Sequence, residues 1–73
     1  MKLKELEAKL DESVEMYAKE VNHILYNFYR MDQSDQEYFL TEAIDNMNRQ
    51  AFYTFMEFKD HIIEYLEELE KKG

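Results

Sequence analysis

Seventy-three residues with 17 acidic against 9 basic side chains, a net charge of −8, and no cysteine or proline narrow what this chain can be. The length allows one domain, which buries only about 60% of the surface its unfolded chain exposes, and the missing cysteines exclude disulfides, zinc fingers, thiolate catalysis and redox sensing. The acidic balance opposes binding to nucleic-acid phosphates and anionic lipids.

The N-terminal stretch is charged throughout, so no signal peptide is read there. The longest uncharged run, Val21 to Tyr29, is far short of the roughly 20 apolar residues that span a bilayer. A cytoplasmic location is the expectation. The first element is a helix over about 2–31, with apolar residues at Leu3, Leu6, Leu10, Val14, Tyr17, Val21, Ile24, Phe28 and Met31. Those steps of three and four keep one stripe on one helix face. Glu5 with Lys9 and Glu15 with Lys19 are acid-before-base pairs at i, i+4 that mark the solvent side. Beyond Glu20, Leu25, Tyr26 and Tyr29 widen the apolar surface past the stripe, so this end of the helix should meet more than one neighbour.

The stop-and-restart signal lies at about 32–34. Ser34 and Glu37 have the spacing of an S-x-x-E capping box, Asp35 adds negative charge at the new helix start, and Asp32 can cap or turn through its own backbone. Helix two is expected over about 35–72, with a stripe at Leu40, Ile44, Met47, Ala51, Phe55, Phe58, Ile62, Leu66 and Leu69. Phe39, Ala43, Phe52, Met56 and Ile63 read as a second row beside it. The segment Ala51 to Phe58 is rich in β-formers, but no turn signal flanks it, so it is read as helix. Asp45, Asn46 and Asn48 are poor helix formers, and a break there would make three helices.

The fold class is therefore all-α, in a single domain over 1–73. A helical hairpin that dimerises into an antiparallel four-helix bundle is the leading architecture, and a monomeric three-helix bundle broken near Asn46–Asn48 is the alternative. Length favours the dimer, because a helix two of roughly 38 residues outreaches a helix one of roughly 28 by about 15 Å at 1.5 Å per residue. A second copy could cover that overhang. In plan, a hairpin with Met31-Asp32 followed by Gln36 at the turn is similar to the plasmid repressor-of-primer type of four-helix dimer. The likeness is confined to the turn, since this chain has no basic helix face for RNA. Lys2 to Leu10 and Glu64 to Lys72, built from Leu, Glu and Lys, resemble idealised designed helices. The Met-, Asn- and Tyr-rich middle does not, and a designed bundle or binder stands as one alternative origin.

Chemistry-bearing residues are few. Glu20 and His23 form an E-x-x-H pair of the kind that carboxylate-bridged di-metal bundles project inward. A turn centred between Asp32 and Gln33 would bring Glu42 opposite His23 and Asp45 opposite Glu20, giving a candidate metal set of Glu20, His23, Glu42 and Asp45. His61 lies one helical turn from both Glu57 and Glu64 and reads as a solvated residue near the chain end. Ser13 and Ser34 have no base at nucleophile spacing and read as a surface residue and a cap. With no glycine-rich phosphate loop either, neither enzymatic activity nor a cofactor is expected.

Between Arg30 and Arg49 every charged residue is acidic: Asp32, Asp35, Glu37, Glu42 and Asp45. The hairpin would gather Tyr26, Tyr29, Tyr38, Phe39 and Tyr53 near the same end, and tyrosine is enriched in interface hot spots. The expected partner-binding residues are Tyr26, Tyr29, Asp32, Asp35, Glu37, Tyr38, Glu42 and Asp45. The expected function is that of a small acidic interaction module. It would act as a regulator, inhibitor or adaptor on a basic protein surface, in the manner of small inhibitors encoded by phages and mobile elements. The metal-binding bundle is the alternative from another class.

Overall fold

The computed structural model describes residues 1–72 and contains two helices, α1 (Leu3–Tyr29) and α2 (Gln33–Lys72), packed as a hairpin. Lys2 is extended (φ −83°, ψ 156°), and its carbonyl accepts the first helical bonds from the amides of Glu5 and Leu6. No side chain caps this end; Glu5 supplies negative charge to the helix dipole in the first turn. At the other end the Arg30 amide donates to the Tyr26 carbonyl, and the Met31 amide donates to the Phe28 carbonyl at 3.1 Å, tightening the last turn. No residue in the described chain needs a positive φ.

The capping box does not form at Ser34. Asp32 caps α2 instead, its Oδ1 accepting from the Asp35 amide at 2.9 Å while its carbonyl accepts from the Gln36 amide. An N-cap residue needs non-helical backbone, and Gln33 and Ser34 already belong to α2. With Asp32 as the cap, the Gln36 side chain donates to the Phe28 carbonyl at 3.2 Å, a second bond to the acceptor that the Met31 amide already uses. The two helix ends are thus tied to each other across the turn.

The three-helix alternative is overturned, since α2 runs unbroken through Asn46–Asn48. Three poor helix formers together cost about 2 kcal/mol relative to alanine, and without Gly or Pro there is nothing in the segment to stop propagation. Asn46 and Met47 are also partly buried. Ala51 to Phe58 is helical within α2, where the Thr54 hydroxyl donates back to the Gln50 carbonyl at 3.0 Å. Among the described residues no helix is long and apolar enough to cross a membrane.

The molecule is a single layer, 59 × 17 × 6 Å in backbone extent. At 1.5 Å per residue α2 is about 60 Å long and α1 about 40 Å, so the length of the molecule is the length of α2. Past the start of α1, the Met1 amino group pairs with Glu68. The seam between the helices takes most of the α1 stripe: Leu6 is buried, and Leu10, Tyr17, Val21, Ile24, Phe28 and Met31 are partly buried. From α2 the seam takes a mixed row instead. Gln36, Asn46, Gln50, Thr54 and His61 share partial burial with Phe39, Ala43, Met47, Ala51 and Phe58.

Most of the expected stripe on α2 therefore lies outside the seam, with Leu40, Ile44, Phe55, Ile62, Leu66 and Leu69 exposed. A helix with one neighbour buries one arc of its surface, and the apolar surface of α2 is wider than that arc. At 100° per residue this exposed stripe runs ahead of the α2 seam row, just as Leu3 and Val14 run ahead of the α1 seam row. In two antiparallel right-handed helices, offsets of the same sense point to the same side, so one broad face of the hairpin carries both. The expected second row does not exist as one row. Phe39 and Ala43 are partly buried, whereas Phe52, Met56 and Ile63 are exposed on the outer side of α2.

Candidate functional site

All eight expected partner-binding side chains, Tyr26, Tyr29, Asp32, Asp35, Glu37, Tyr38, Glu42 and Asp45, are exposed. The last turn of α1 contributes Tyr26 and Tyr29, the connecting turn contributes Asp32, and the first four turns of α2 contribute the rest. Their geometry is set locally. The Arg30 guanidinium lies over the Tyr26 ring, 5.4 Å from its centroid, a cation–π distance. Tyr38 packs edge-on to Phe39 with centroids 4.8 Å apart and is otherwise 80% exposed. Tyr29 meets Phe28 in a similar edge contact. Tyr53 does not join this group; it borders a groove with Ser13, Tyr17 and Glu20, midway along the hairpin.

Tyr53 lies 20 residues past Gln33, about 30 Å from the turn at 1.5 Å per residue, so helix length alone carries it away; the register of the pair is shifted as well. A turn centred between Asp32 and Gln33 sets Ser13 opposite Phe52, yet Ser13 bonds to Glu57. Likewise Glu42 shares a groove with Asn27 and Phe28 rather than with His23, and Glu20 faces Gln50 and Thr54 rather than Asp45. The Cα–Cβ bonds of a helix tilt toward its N-terminus. In an antiparallel pair the α1 side chains therefore lean away from the turn and the α2 side chains lean toward it, so contacts reach further along α2 than backbone levels suggest.

Within one chain the same shift takes Glu42 and Asp45 out of level with His23 and Glu20, while Glu20 and His23 stay neighbours on α1. The His23 ring meets the Asn27 amide at 3.2 Å. Among the described residues no three His, Asp or Glu side chains come together where they could hold a metal ion.

Ser13 is the site residue that sequence reasoning missed. Read as a surface position, it is the buried polar side chain of the seam, 4% exposed, and its hydroxyl donates to Glu57 Oε2 at 2.7 Å. The available signal was spacing, because Leu6, Leu10, Ser13 and Tyr17 fall on one arc. His61, Lys9 and Glu12 border the same groove. A serine, a glutamate and a histidine together have the residue types of a hydrolytic triad. The connectivity differs, because the serine donates to the carboxylate and not to an imidazole. Lys9 and Glu64 approach to 3.7 Å with both side chains largely solvated, a pairing that contributes little.

Two surfaces remain as places to bind something. One is the broad apolar face. The other is the acidic turn end, where a groove of about 230 Å³ opens between the helices. Comparison with protein-family models, curated proteins and solved structures found no match to this chain.

Proposed function

We propose that the chain is a non-enzymatic protein-interaction module. Two hairpins stack through their apolar faces as an antiparallel four-helix bundle, and each presents its acidic turn end to a basic surface of another protein. The observation that carries this reading is the area left exposed. The hairpin has 6054 Å² of accessible surface, while a compact chain of 9.0 kDa has about 4,850 Å². The excess of about 1,200 Å² per chain exceeds the roughly 800 Å² that each partner buries in a standard interface. Leu6, 7% exposed, is the one buried hydrophobic side chain among the described residues, so the hairpin has almost no core of its own. A second copy supplies one, and the exposed α2 stripe of Leu40, Ile44, Phe55, Ile62, Leu66 and Leu69 brings no charge to the contact.

Acidic residues and tyrosines at an exposed end favour a basic protein partner over nucleic acid, whose phosphates they repel. Sedimentation equilibrium at micromolar concentration tests the assembly, and a dimer is expected. A folded species that stays monomeric across the concentration range would overturn it.

A further inference from the structure

The groove at the turn end has a floor and a rim of different chemistry. Ile24, Phe28, Met31, Phe39 and Ala43 form an apolar floor, all five partly buried, while Asn27 and Glu42 at the edge are exposed. Its 230 Å³ compares with the roughly 150 Å³ of a cavity that holds benzene, so there is room for one aromatic or branched aliphatic side chain. The groove lies on the side of the seam opposite the broad apolar face. Stacking of two hairpins through that face leaves it open.

From this geometry we infer that the groove receives a single bulky apolar side chain from a basic segment of the partner protein, with lysines or arginines beside that anchor meeting the carboxylates around the groove. The inference rests on the turn end being the binding end, and adds to it an anchor. Glu42 stands on the rim, Asp45 is three positions further along α2, and Asp32 and Asp35 begin the same helix. No basic residue intervenes between Arg30 and Arg49, so along α2 the groove is flanked by acidic charge until Arg49, one turn past Asn46. Apolar burial then supplies affinity at the centre of the contact, and the acidic surround supplies orientation and a fast approach. Asn27 and Asn46 offer amides to the backbone of the bound segment.

Two synthetic helical peptides of about 15 residues, built from lysine and alanine and differing only in one central position, phenylalanine or alanine, test this against the full chain. The phenylalanine peptide is expected to bind about tenfold tighter or better, the gain that burying one such side chain brings. Ala43→Leu, which extends a side chain into the groove, should erase the difference while leaving the alanine peptide's binding unchanged. The Asp35→Lys/Glu42→Lys double variant should weaken both peptides. Because Ala43 is partly buried and its replacement can disturb packing, a second readout uses the unaltered protein. The side-chain amide resonances of Asn27 and Asn46 should move with the phenylalanine peptide and not with the alanine peptide. Equal binding of both peptides, lost on charge reversal, would overturn the anchor and leave the acidic-end reading standing. Binding of neither would overturn both. Resonance shifts confined to Gln50 and its neighbours would place any contact elsewhere and overturn the anchor.

Discussion

Asp32 accepts the Asp35 amide at 2.9 Å, and loss of such an N-cap costs about 1 kcal/mol. Asp32→Ala is therefore expected to lower stability by that amount in urea melts, whereas Ser34→Ala, at an exposed position inside the helix, should stay within about 0.5 kcal/mol of the parent. The reverse ranking would restore the capping box at Ser34. At Ser13 the hydroxyl bonds to a carboxylate that is itself exposed, so Ser13→Ala leaves no buried orphan on Glu57. Loss of one hydrogen bond, offset by the better helix propensity of alanine, should keep the change within about 1 kcal/mol. A larger loss in thermal or urea unfolding would mean that Glu57 depends on this partner. Both residues show what local reading can and cannot reach. Asp32 and Ser34 are both plausible caps from their types, and in the fold Asp32 takes the role while Gln36 reaches the Phe28 carbonyl across the turn.

The elements themselves were legible in the sequence. Steps of three and four in the apolar residues, with no internal Gly or Pro, point to long helices on either side of the turn and leave open only a break near Asn46–Asn48. The continuity of α2 makes a simple forecast: Asn48 is exposed and mid-helix, so Asn48→Ala should raise stability by about 0.5 kcal/mol. No gain would place a break there after all. Phe55 bears on the exposed stripe. It is 68% exposed in the hairpin, and truncating a ring in that setting is near-neutral. Under the proposed face-to-face stacking the ring is buried, and Phe55→Ala should cost about 3 to 5 kcal/mol and make the melting temperature depend more steeply on protein concentration. A near-neutral effect at every concentration would remove Phe55 from the interface.

For the whole molecule the governing quantity is surface. A layer two helices wide and 59 Å long has almost no interior beyond its seam, and the apolar residues of its broad face are covered only if another layer lies on them. The acidic end acts over longer range, because the Debye length is about 10 Å at 0.1 M salt and about 3 Å at 1 M. Capture of a basic partner by the wild-type chain should therefore weaken from low to high salt, and the Asp35→Lys/Glu42→Lys variant should capture little at either. A partner held equally by both proteins would exclude the acidic end as the contact.

What the sequence determined by itself was periodic and local: two helices, a turn near residue 32, an apolar stripe along each helix and a run of acidic charge at one end. These follow from residue type and spacing, which act over a few positions of one chain segment. Tertiary structure decided which arc of each helix the seam consumes. It also decided that Ser13 is inside and Phe55 outside, and that Glu42 pairs in level with Asn27 rather than His23. Those outcomes depend on how one helix is rotated and shifted against the other. A rotation that buries a mixed row of α2 while leaving its most apolar row exposed cannot be read from either helix alone, because each row has helical spacing and only the fit between the two chosen faces separates them.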